Sequence, residues 1–110
     1  MIFSREGNTA ILTQERASIP ELVVKIQESY EKLEHNNLIV NLSSLREISE
    51  GALDEFLQVS KRHRLGNQSF IIVSPKVDLD TISEEIVVVP TLQEAHDMIE
   101  MEEMERDLGI

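Results

Sequence analysis

The side chains able to do chemistry are few in kind and widely scattered. The chain has three histidines, His35, His63 and His96, and no cysteine. Without cysteine there is no disulfide, no thiol nucleophile and no Cys-type zinc or iron–sulfur site. No histidine has a second ligand at metal spacing. His63 stands in a basic helix end and His96 beside Asp97, so each histidine is expected to be a solvated helix residue. The glycines, Gly7, Gly51, Gly66 and Gly109, are isolated, and no glycine-rich loop is present to cradle a phosphate. A hydrolase would need a serine, a histidine and an acid to converge, and no Gly-x-Ser-x-Gly elbow occurs. Acids make up 21 of 110 residues, so neighbouring carboxylates carry no catalytic information. The chain is therefore expected not to be an enzyme and to hold no metal or cofactor. What remains is hydroxyl and carboxylate chemistry, which occurs along the whole chain. A serine at a helix start can cap it or accept a phosphate, and an acid can meet a basic partner.

The charge balance narrows the partners. Twenty-one acids against 10 bases leave a net charge of −11, which repels phosphate backbones and argues against nucleic acid and anionic membranes. Apolar runs such as Ile86–Pro90 and Leu38–Val40 are too short to span a bilayer. No basic start followed by an apolar segment marks a signal peptide. A cytoplasmic location is the expectation. The length suits one domain over residues 1–110, with a core in 1–100 and an acidic helix end in 101–110.

The elements that must position these residues follow from periodicity. Met1–Arg5 and Thr9–Gln14 read as two strands joined by the turn Glu6-Gly7-Asn8. Ser18 opens a helix with Glu21 as its capping-box partner, and Ile19, Leu22, Val23, Ile26, Tyr30 and Leu33 fall on one face. Leu38–Leu42 is an apolar run suited to a strand covered on both faces. A second helix is expected from about Glu50 to Leu65, with Leu53, Phe56, Leu57 and Ser60 inward and Gly66-Asn67 as its stop. Phe70–Val73 and Ile86–Val89 are further strands, with room for one helical turn in Pro75–Ser83 between them. Thr91 and Glu94 form another capping box before a helix to about Leu108. The order β-β-α-β-α-β-(α)-β-α implies an α/β domain with a mixed sheet.

Asn41-Leu42-Ser43-Ser44-Leu45-Arg46-Glu47-Ile48-Ser49-Glu50-Gly51-Ala52-Leu53 resembles the signature of the STAS family, the sulfate-transporter and anti-sigma-factor-antagonist domain. In that family an apolar strand runs into Asp-Leu-Ser-x-Val-x-x-Ile-Asp-Ser-Ser-Gly-Leu and then a helix. The ending is also similar, with Pro90-Thr91-Leu92-Gln93-Glu94-Ala95 standing where the family shows Pro-Ser-Leu-Glu-Glu-Ala. The resemblance covers about residues 1–100 and implies a STAS-like (SpoIIAA-like) fold. Two departures bear on function. Asn41 stands in place of the usual Asp. An ungapped match puts Gly51 on the serine that partner kinases phosphorylate, Ser49 on the loop Asp and Glu50 on the preceding serine. The resemblance thus implies a non-catalytic regulatory module, like an anti-sigma-factor antagonist but without the usual phosphoacceptor, Ser49 being the only displaced candidate. Its implied partner is a kinase-like anti-sigma factor or another regulator. The alternatives are a scaffold or accessory subunit, and a small-ligand or nucleotide carrier.

Two surfaces are the expected contacts. One is the loop and helix start carrying Ser44, Ser49, Glu50, Gly51 and Asp54. Ser49 and Glu50 also have a plain structural use, as a helix cap and a match to the helix dipole. The other is a stripe of Met98, Met101, Met104 and Leu108 on the last helix, set among acids. Methionine adapts to varied partner shapes, and a second copy of the chain is the simplest partner for it. A wider core face with a frayed acidic tail would give the same pattern.

Overall fold

The computed structural model describes residues 2–14, 18–45, 48, 51–75 and 83–109. Five strands lie in one sheet in chain order. β1 (Ile2–Glu6) and β2 (Thr9–Thr13) form an antiparallel hairpin, and β3 (Asn37–Asn41), β4 (Phe70–Val73) and β5 (Val87–Val89) continue it in parallel. Gly7, at φ +56, supplies the left-handed turn of the hairpin. Each parallel strand needs a crossover; the described crossover helices cover one face of the sheet, and the helix that follows β5 covers the other.

Alternation along the strands builds two cores. Ala10, Leu12, Leu38, Val40, Phe70 and Ile72 face α1 (Ile19–Glu28), α2 (Tyr30–Leu33) and the helical segment after β3. Ile11, Ile39, Ile71 and Val73 face α4 (Leu92–Asp107) through Ala95 and Ile99. Val40 and Ile72 are opposite each other in register and fully buried, the centre of the first core.

The helix starts follow their caps. Ser18 Oγ accepts the Glu21 amide at 3.3 Å and Thr91 Oγ1 accepts the Glu94 amide at 3.1 Å. The rest of the helical reading needs two corrections, and its stop at Gly66-Asn67 holds. The first helix is not continuous to Leu33. It breaks at Ser29 (φ −101°, ψ 8°), whose amide still reaches the Lys25 and Ile26 carbonyls, and a new turn begins at Tyr30. The apolar spacing runs through the break because Ile26, Tyr30 and Leu33 all stay buried.

The second helix does not enter as an α-helix. Ala52–Phe56 is a 3₁₀ segment, and α3 follows as Leu57–Leu65. Leu53 and Phe56, three residues apart, eclipse in that tighter winding and are both buried. At the far end, Asn67 rather than Gly66 takes the left-handed conformation, with φ 62° against −84°. The Gln68 amide then bonds the His63 carbonyl at 3.2 Å and closes the helix end. The turn expected in Pro75–Ser83 falls mostly on residues 76–82, outside the described residues.

Candidate functional site

The loop after β3 leaves the C-terminal edge of the parallel strands, where open α/β sheets place their sites. β3 lies in the middle of the sheet, so this loop emerges between neighbours on both sides: Gln14 N bonds Asn41 O at 3.1 Å and Leu42 N bonds Val73 O at 2.8 Å. Asn41 fixes the first turn. Its Oδ1 accepts the Ser43 amide at 3.1 Å and the Ser43 hydroxyl at 2.6 Å. An amide oxygen thus does the turn-forming work open to a carboxylate. Leu45 and Ile48 then pack against the first core and hold the loop down, while Ser43 and Ser44 are exposed.

Gly51 ends the loop in the left-handed region, at φ +78°, with nothing within 4 Å of where a Cβ would stand. The Asp54 amide bonds its carbonyl at 3.1 Å and starts the 3₁₀ segment. Asp54 and Glu55 are exposed at that segment's first turn, above buried Leu53 and Phe56. Ser44, Gly51 and Asp54 are therefore outward-facing residues of one edge. Ser49 and Glu50 lie outside the described residues. Among the described residues, the buried side-chain polar atoms without a partner are Gln14 Oε1 and Ser74 Oγ. They stand just after β2 and β4, the strands that flank β3 at this edge.

The opposite edge holds polar groups that the sequence reading left in solvent. His63 is not exposed: its accessibility is 0%. Its Nε2 lies 2.6 Å from the Asn36 carbonyl, so Nε2 carries the proton and donates. Nδ1, at 2.8 Å, then accepts from the Tyr30 hydroxyl. Burial holds the His63 pKa below its usual 6.5, against the upward pull of the Asn36 carbonyl and with a further downward push from Arg64. Burial likewise raises the Tyr30 pKa, and Arg62, stacked 4.1 Å above the ring, pulls it back in part. The neutral ring packs edge-on against Tyr30 and Phe70. The signal was present in the sequence: Phe56, Val59, Ser60 and His63 recur at helical spacing, and all four are buried. His96 is also less exposed than expected, its Nε2 lying 3.2 Å from a Glu6 carboxylate oxygen, whereas His35 is on the surface.

The last helix is neither a frayed tail nor uniformly outward. Glu102 accepts from Ser69 Oγ at 2.6 Å and pairs with Arg64 at 3.3 Å. Glu103 accepts from Asn37 Nδ2 at 2.6 Å, and Arg106 reaches Ser69 and Asn37 at 3.1 and 3.3 Å. These bonds tie the C-terminal half of α4 to the N-terminal ends of β3 and β4. Met98 is half-buried and packs on the second core. Met101, Met104 and Leu108 are 49%, 65% and 72% exposed.

A search of protein-family models gives no match, and none is found among the curated proteins. The backbone is more informative. An RsbS protein of Moorella thermoacetica carrying a serine-to-glutamate substitution superposes with a TM-score of 0.63, covering 89% of this chain and 95% of that one at 11% identity. The fold is STAS-like. At that identity the likeness speaks for the architecture, a mixed five-strand sheet with helices on both faces. No described helix is long and apolar enough to cross a membrane.

Proposed function

We propose that this chain is a non-catalytic regulatory module of the anti-sigma-factor-antagonist kind, acting through a protein partner. The observation that supports this reading is the fold-level likeness to RsbS across nearly the whole chain, with an outward-facing loop at the C-terminal edge of the central strand. The contact surface in this reading is Ser44, Ser49, Glu50, Gly51 and Asp54. Exposed acids at the start of the helical segment favour a basic surface on the partner, with association that weakens as salt rises.

Regulation follows from Gly51. The residue matched to the family's acceptor has no hydroxyl, and its backbone sits where only glycine is unstrained. The module therefore binds without a phosphoswitch at that position. The test is affinity capture from the native cell followed by mass spectrometry, with wild type, Glu50→Lys and Asp54→Lys as baits. Recovery of a kinase-like regulator by wild type, lost with either substitution, is the expected result. Recovery of the same partners by all three baits would refute this surface. Phosphopeptide mapping that finds Ser49 modified would show that the acceptor is displaced rather than lost.

A further inference from the structure

The described bases are not spread evenly over this acidic chain. Arg5, Lys25 and Lys32 rim one open groove of about 520 Å³ between the edge strand β1 and the α1–α2 break. Its apolar walls include Phe3, Leu12 and Ile26. Arg5 donates to the Lys32 carbonyl at 3.3 Å and lies 5.2 Å from the Phe3 ring centroid, so β1 and α2 are clasped across one end. None of the three cations is ion-paired among the described residues. Phe3 is 45% exposed on a strand whose outer side has no neighbour in the sheet.

The outer face of α4 is the complement of that groove. At about 100° per residue, Glu100, Met101, Met104, Glu105, Asp107 and Leu108 fall within an arc of roughly 160°. All six are exposed. Ala95, Ile99, Glu102, Glu103 and Arg106 fall on the opposite arc and are held by the sheet and its edge. The exposed arc thus offers three carboxylates and three flexible apolar side chains, against three cations and an apolar floor.

We propose that the chain self-associates by seating the outer face of α4 of one copy in the β1–α1–α2 groove of a second. Glu100, Glu105 and Asp107 meet the rim of Arg5, Lys25 and Lys32, while Met101, Met104 and Leu108 cover the apolar floor. The groove lies on the α1–α2 face of the sheet and α4 on the other, so the contact is heterologous, running head to tail from copy to copy. The net charge of −11 on each copy opposes association in general. Only a contact that places acids on the rare exposed cations offsets it. The contact uses a surface apart from the loop after β3, so it stands or falls independently of the regulatory reading.

The test is charge reversal with complementation, read as mass by sedimentation on the pure, full-length protein. The mass of wild type is expected to rise from 12.5 kDa to at least twice that as its concentration rises from about 1 to about 200 µM. Lys25→Glu/Lys32→Glu and Glu100→Lys/Glu105→Lys should each remain monomeric over that range. An equimolar mixture of the two should recover the association, because the wild-type helix of one meets the wild-type groove of the other and the reversed pair also matches. Circular dichroism establishes that both variants are folded. Met101→Lys, which leaves the groove untouched, should also stay monomeric. A wild type that is monomeric throughout overturns the proposal. So do variants that still associate, or folded variants that fail to complement each other.

Discussion

Replacing His63 with phenylalanine isolates the polar part of the buried Tyr30–His63–Asn36 chain. Phenylalanine keeps a flat ring of similar size, so the edge-on packing against Tyr30 and Phe70 is largely retained. Two hydrogen bonds are lost. The Tyr30 hydroxyl, in a residue only 6% exposed, and the Asn36 carbonyl are left without their partner. Orphaning buried polar groups costs about 1–3 kcal/mol each, so the variant should lose about 2–4 kcal/mol. With a urea slope of about 1.5 kcal/mol per molar, the unfolding midpoint should fall by roughly 1–3 M. The pH dependence supplies a second reading. The folded pKa of His63 lies below its unfolded value of 6.5. Between the two, the unfolded chain holds a proton that the folded chain does not, so stability rises with pH. The contribution is fully present above 6.5 and declines as pH falls toward the folded value. Urea titrations of wild type and His63→Phe at about pH 7.5 and about pH 5.5 should show the gap between them narrowing at the lower pH. A variant as stable as wild type at the higher pH, or a gap that widens on acidification, would refute the assignment of His63 as a buried neutral donor–acceptor.

Ile72→Ala, at a fully buried position opposite Val40, should cost about 2–5 kcal/mol by urea or thermal unfolding, and an unchanged midpoint would count against its place at the centre of the sheet. Gly51→Ser restores a hydroxyl at the family's acceptor position but forces a side chain to φ +78°, so it should destabilise by about 1–2 kcal/mol, as should Gly51→Ala. If serine alone is tolerated, its hydroxyl and not backbone strain governs the site. Glu102→Gln removes the charge that meets Arg64, while the amide oxygen can still accept from Ser69. A lower melting temperature, corresponding to about 1–3 kcal/mol, is expected, and an unchanged one would mark the tie between α4 and the strand ends as decorative.

The strands were legible because nothing competes with their signal. Leu38–Val40 and Phe70–Val73 are uncharged runs, and an uncharged run of that length in an α/β chain is a strand covered on both faces. The caps at Ser18 and Thr91 were legible for the same reason, since their chemistry is local. The break at Ser29 was not, because periodicity reports which residues face inward and is silent on whether the backbone between them stays helical. The 3₁₀ entry at Ala52–Phe56 escaped for a related reason, as Leu53 and Phe56 satisfy an inward spacing of three in either winding. His63 was misplaced because imidazole suits both water and a buried donor–acceptor slot, and the deciding groups, Tyr30 and Asn36, are about thirty residues away.

The acidic helix shows why charge alone could not locate a surface. Residues 94 to 107 hold seven acids and one base, a balance that does not say which acids face water. Glu102 and Glu103 turn inward and accept from Ser69 and Asn37 at the starts of β4 and β3, and Glu102 also pairs with Arg64 of α3. Anchoring these two sets the rotation of the helix about its axis. That rotation is what presents Met101, Met104 and Leu108 to solvent instead of burying them. The stripe was visible in the sequence, but its exposure depends on partners more than thirty residues away. The acids that look redundant in the composition divide into those that orient the helix and those that flank the face it displays.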